Sequence, residues 1–120
     1  MRLRDVLTIT GAECLSPDVD LDCDVTCGFA SDLMSDVLRY DMADGLLVTG
    51  LANPQVVRTA EMADVAAILM ARGKVPPSET IELAREIGIP LIGTQMIMFE
   101  TCGRLFAAGL PACRPHNGHS

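Results

Sequence analysis

Apolar residues recur along this chain in two rhythms. At the start, Leu3, Val6, Leu7 and Thr10 follow helical spacing, and Gly11 is placed to close that helix in a left-handed conformation. Residues 12–15 (AECL) and 25–30 (VTCGFA) read as short strands joined without a helix. Ser31 or Ser35 is placed to cap a helix carrying Leu33, Met34, Val37, Leu38 and Tyr40. From residue 45 the order becomes regular. GLLVTGL (45–51), AAILMA (66–71) and PLIGT (90–94) are continuous apolar runs of the kind buried strands use, and each leads into a helical pattern. Asn53-Pro54 starts the first of these helices as a cap residue followed by proline at the first helical position. Ser78 is placed to cap the second, which Gly88 stops. The third, about 95–108, begins at Thr94 and carries Glu100 and Arg104 four residues apart. Gly103 lies inside it and reads as a point of close packing.

Three successive strand-then-helix units require crossovers, and crossovers imply a parallel sheet with helices on its faces. The expected fold is α/β: a three-layer α/β/α arrangement with a mixed, mostly parallel sheet of about five strands. It fills one domain over residues 1–110, with 111–120 as a flexible tail.

Composition supports this picture and narrows the function. Of 120 residues, 49 % are hydrophobic, with no Trp, one Tyr and three Phe, so the core is aliphatic. The methionines at 34, 42, 62, 70, 96 and 98 read as core filling. The net charge is −7, and the nine cations are scattered, which argues against nucleic acid and anionic membranes as partners. No apolar segment approaches the ~20 residues that span a bilayer. Five cysteines make an odd count and no leader is evident, so reduced thiols and a cytoplasmic setting are expected.

The stretch DVDLDCD (18–24) places an aspartate at every second position. Read as a helix–loop–helix calcium loop, it fails: the sixth and twelfth positions, which need glycine and glutamate, hold Cys23 and Phe29. Read as an extended segment, it puts Asp18, Asp20, Asp22 and Asp24 in water and Val19, Leu21, Cys23 and Val25 inward. A solvated edge is the expectation, and no bound metal.

Asp24-Val25-Thr26-Cys27-Gly28 followed by FASDLMSDVL resembles the signature of the DRTGG domain family, an Asp-x-Thr-Gly-Gly type motif followed by an aromatic and a serine/aspartate-rich helix. The resemblance continues through 45–51, IELAREIGIPLIGT and FETCGRLFAAGL, covering about residues 1–110. The last part is also similar to the end of the N-terminal domain of HPr kinase/phosphorylase. Val25 stands where the namesake motif has arginine, and Cys27 where it has its first glycine. Such domains occur alone or joined to CBS-domain pairs or phosphotransacetylases. The resemblance implies a regulatory, ligand-sensing module without catalysis or cofactor. No G-x-x-x-x-G-K-[ST] loop is present to suggest kinase activity.

Candidate ligand residues follow from two sources. The motif supplies Asp24, Thr26, Gly28, Ser31, Asp32 and Asp36. The C-terminal ends of parallel strands, where helix N-termini converge, supply Thr49, Gly50 and Asn53, then Arg72, Gly73 and Lys74, then Thr94 and Gln95. Together they suit a small anionic or nucleotide-like ligand; helix capping and turn chemistry are the competing roles. A cysteine-based metal site or enzyme is the alternative, using Cys23 and Cys27 with Cys14 or Cys102, or Cys113, His116 and His119 in the tail. The helix over 96–106 is apolar around most of its circumference and needs burial on nearly all sides. A homodimer, or docking to a regulatory partner protein, would supply it.

Overall fold

The computed structural model describes residues 1–116. Along the chain the elements run α1 (Leu3–Thr10), β1 (Glu13–Cys14), β2 (Cys27–Ala30), α2 (Met34–Val37), β3 (Tyr40–Asp41), β4 (Gly45–Thr49), α3 (Pro54–Ala63), β5 (Ala67–Met70), α4 (Ser78–Ile87), β6 (Leu91–Gly93), α5 (Met98–Ala107) and β7 (Arg114–Pro115). Five strands form one sheet in the order β1-β6-β5-β4-β2. β2, β4, β5 and β6 are parallel, and β1 runs antiparallel on β6. The mixed, mostly parallel five-stranded sheet expected from the apolar runs is therefore present.

Side-chain alternation divides the core into two layers, as the period of two in a strand requires. Leu47, Ile68, Met70 and Leu91 pack on one face against Val56, Val57 and Ala60 of α3 and Ala84 of α4. Leu46, Val48, Ala67, Leu69 and Ile92 pack on the other against Leu3 and Val6 of α1 and Leu105 of α5. With helices on both faces, the architecture is the expected α/β/α sandwich. Among the described residues no helix is long and apolar enough to cross a membrane.

Local signals set most helix ends. Asn53 Oδ1 accepts from Val56 N at 3.3 Å, and Gly11 and Gly88 close their helices with φ 66° and 86°. Other ends differ from the sequence expectation. Ser78 is the first residue of α4 rather than its cap, because the Pro76-Pro77 pair holds the entry extended and leaves Pro77 at the cap position. α5 starts at Met98, since Thr94 Oγ1 accepts from Met96 N at 3.2 Å and holds a turn there. The expected helix over 33–40 shrinks to the single turn of α2. Ser31 Oγ accepts from Leu33 N at 2.9 Å, and Tyr40 leaves the helical path to join β3 and pack on Phe29 at 4.4 Å between ring centroids.

The aspartate-rich stretch keeps its alternation without being a strand. Asp18, Asp20, Asp22 and Asp24 are exposed; Val19, Leu21 and Cys23 are half-buried and Val25 is buried. The backbone bends, with Asp18 at φ 59° and Asp22 N donating to Asp20 Oδ1. Its carbonyls serve α1: Leu3 N donates to Cys23 O at 3.0 Å and Arg4 N to Leu21 O at 2.8 Å. These bonds satisfy amides that a helix start leaves open. Asp22 also pairs with Arg4 at 3.0 Å.

Three further positions depart from the sequence expectation. Met62 is 70 % exposed rather than core filling. Among the described residues, nothing beyond its own helix backbone comes within 4 Å of where a Cβ at Gly103 would stand, so no close packing against a neighbouring element is seen there. Residues 111–116, expected as the start of a tail, run first along the β2 edge and then beside β3. Gly28 N donates to Pro111 O at 2.8 Å, Cys113 N donates to Gly28 O at 2.9 Å, and β7 pairs antiparallel with β3. Residues 117–120 lie outside the described residues.

Candidate functional site

Because β2, β4, β5 and β6 run the same way, their C-terminal ends emerge on one side of the sheet. Strand order then sets the sequence of residues along that margin. Thr94 and Gln95 follow β6, Arg72 and Gly73 follow β5, Thr49 ends β4 with Gly50 after it, and Ser31 and Asp32 follow β2.

Asp32 organises this row. Its Oδ1 accepts from Thr49 Oγ1 at 3.0 Å and from Gly50 N at 2.7 Å, and Thr49 Oγ1 in turn accepts from Leu51 N at 3.1 Å. A Cβ added at Gly50 would stand 2.8 Å from a terminal nitrogen of Arg72 and 3.3 Å from Asp32 Oδ2. A guanidinium and a carboxylate thus converge over bare backbone. Arg72 is exposed, and among the described residues it makes no ion pair within 4 Å. Its backbone is left-handed, φ 66°, a conformation that costs a residue with a Cβ roughly 1–2 kcal/mol. Two bonds to the neighbouring loop hold it there: Arg72 N donates to Met96 O and Gly73 N to Thr94 O, both at 2.8 Å.

The remaining expected residues either are engaged within the fold, as Thr94 is, or stand apart from Asp32 and Gly50. Thr94 is buried, donates to Thr10 O at 2.6 Å and is used up joining α1 to β6. Asn53 caps α3. Lys74 is exposed on the loop that carries Arg72. Asp24 and Thr26 precede β2 and so lie at the opposite margin, where Thr26 N and Oγ1 both donate to Asp44 O and Asp24 bridges to Arg2. Gly28 sits within β2, and a Cβ there would come 3.1 Å from Leu110, so its smallness serves the docking of 110–113. Asp36 borders a separate hollow of about 390 Å³ with Phe29, Arg39, Tyr40 and Pro115. Of the motif residues, only Ser31 and Asp32 share the strand-end margin.

Cys27 has no left-handed backbone. It is bonded to Cys113 as a disulfide with 4.9 Å between the Cα atoms, across a sequence separation of 86. This departs from the five reduced thiols expected. Gly45 makes room for the bond: a Cβ there would lie 3.1 Å from each sulfur. The bond also removes Cys113 from any site with His116 and His119. His116 Nε2 lies 3.1 Å from Leu38 O, and His119 falls outside the described residues. Among the described residues no group of three or more His, Cys, Asp or Glu side chains is placed to hold a metal ion. Burial, reinforced by Asp20, raises the Cys23 thiol pKa, and burial raises that of Cys102. Both are held as thiols, the less reactive form and the poorer metal ligand.

No family model matches the chain, and none of the curated proteins does. Among solved structures it is similar to the CBS and DRTGG domains of the regulatory region of the Clostridium perfringens pyrophosphatase, determined in complex with the activator diadenosine tetraphosphate. The TM-score is 0.72 at 18 % identity, over 97 % of this chain and 51 % of that one. The chain spans about half the length of that relative. Sheet order, layer arrangement and this likeness together establish that the chain has a DRTGG-like fold.

Proposed function

We propose that this protein is a non-catalytic regulatory module that senses a small anionic, nucleotide-like ligand and works as a homodimer. The observation that carries the reading is the convergence of the Arg72 guanidinium and the Asp32 carboxylate on Gly50 at the strand ends. A guanidinium offers paired donors to a phosphate, and the spare lone pairs of Asp32 suit ribose hydroxyls. Open α/β sheets bind ligands at this margin, outside the carboxyl ends of the strands. The relative's nucleotide activator supports the same ligand class. A cysteine metal site or thiol enzyme is the poorer reading, since Cys27 and Cys113 are bonded to each other and Cys23 and Cys102 are held as thiols.

A thermal-shift screen of mononucleotides, dinucleoside polyphosphates and acyl phosphates tests the proposal. A ligand present at 100 times its Kd stabilises the fold by about 2.7 kcal/mol. The expected result is such a stabilisation in the parent protein, weakened in Arg72→Ala and Lys74→Ala. If no compound of these classes raises the Tm, the sensing role is wrong.

A further inference from the structure

The outer stripe of α5 is at odds with a helix that serves only its own domain. Phe99 and Phe106 are 87 and 71 % exposed, while Thr101 and Leu105 are buried on the opposite side. Phe99, Gly103 and Phe106 stand four and three residues apart, so a turn of 3.6 residues aligns them on one face. Between the two phenyl rings, Gly103 leaves a gap that nothing among the described residues fills. Beside the stripe, an apolar groove of about 470 Å³ runs between α5 and the β2 edge, bordered by Phe29, Cys102 and Leu110.

The geometry points to this stripe as the contact between two copies of the chain, with the α5 helices antiparallel across a two-fold axis near Cys102 and Gly103. The inference deepens the dimer reading above and is independent of any ligand. Three features make the surface complementary to itself. The midpoint of Phe99 and Phe106 falls between residues 102 and 103, so a two-fold there sets Phe99 of each copy beside Phe106 of the other. Glu100 and Arg104, paired at 3.0 Å within one helix, occupy one flank of the stripe. The same axis brings like flanks together with their direction reversed, so each Glu100 meets the other copy's Arg104. On the opposite flank the two Cys102 side chains face each other near the axis. The missing side chain at Gly103 lets the helices approach closely, and an isologous contact of this kind closes at two subunits.

The test uses the full chain with Cys14→Ser and Cys23→Ser, leaving Cys102 as its free thiol beside the Cys27–Cys113 bond. Mass is measured by light scattering at high micromolar concentration, and a copper–phenanthroline oxidant probes proximity. The expected result is dimer mass and a reducible covalent dimer that Cys102→Ser abolishes. Phe106→Glu, a change at an exposed position, should raise the dimer dissociation constant by at least ~30-fold, as for a central aromatic anchor. Gly103→Leu should likewise give a monomer, folded by circular dichroism, by blocking the approach. A monomeric parent overturns both the dimer and this surface. Dimer mass without Cys102 cross-linking, or unaltered by Phe106→Glu and Gly103→Leu, overturns this surface alone.

Discussion

Reducing the Cys27–Cys113 bond should lower the stability of this protein more than any single side-chain change on its surface. The bond ties an edge strand to the segment after α5 across a separation of 86 residues, so it constrains most of the unfolded chain. Loop-closure entropy of about −2.1 − 1.5R ln n gives ~15 cal/mol/K for that separation, or ~4.6 kcal/mol at 25 °C. Compactness of the unfolded chain reduces the effect, and removing a disulfide typically costs about 2–5 kcal/mol. With an unfolding entropy of about 2.1 cal/mol/K per residue, 120 residues lose about 0.25 kcal/mol for each degree. The Tm should therefore fall by roughly 8–18 °C on adding dithiothreitol, or in the Cys27→Ala, Cys113→Ala double variant. Differential scanning calorimetry measures the shift, and thiol titration of denatured, unreduced protein should count three free thiols. Five titratable thiols, or a Tm indifferent to reductant, would refute the reasoning.

Two further outcomes follow from local geometry. Asp32→Ala strips Thr49 Oγ1 and Gly50 N of a charged acceptor and should cost about 1–3 kcal/mol in urea unfolding; no change in the midpoint would mean water satisfies both donors equally well. For Cys102, burial disfavours the thiolate, so its alkylation by iodoacetamide should lag that of exposed Cys14 near neutrality and keep rising to pH values above the usual thiol range. Because the folded-state pKa is raised, the associated stability is complete below the unfolded thiol pKa and is lost as pH climbs through the folded value. Equal rates at all pH values would contradict the burial.

The interior of the fold was readable in the sequence because its signals are local and agree with one another. The continuous runs at 45, 66 and 90 sit between helix punctuation such as Asn53-Pro54 and Gly88, and a parallel sheet is the arrangement that satisfies both. Short elements were harder. The stretch after Ser31 has apolar residues at helical spacing, yet Tyr40 gains more from Phe29 and β3 than from a second helical turn. Asp32 was legible as a candidate through its place in the motif, but its bonds to Thr49 and Gly50 depend on strand order, which periodicity does not carry. Asp24 and Thr26 were grouped with it by proximity in sequence, and the length of β2 sends them to the other margin. The Cys27–Cys113 bond joins residues far apart in the chain; Gly45, which clears space for both sulfurs, marks it only once the coordinates are known.

The two sides of the main sheet end differently from its middle. On one, β1 contributes two residues. On the other, β2 is crossed by 111–113 through Gly28. A bare edge strand would offer its amides and carbonyls to any passing chain, and here there is little ladder left to extend. Growth of this sheet by adding strands finds little to pair with on either side, which leaves the helix faces as the surfaces on which the proposed second copy would dock. Under that proposal a helix pairing with itself would stop at two copies, so the covered sheet edges would limit assembly as well as direct it.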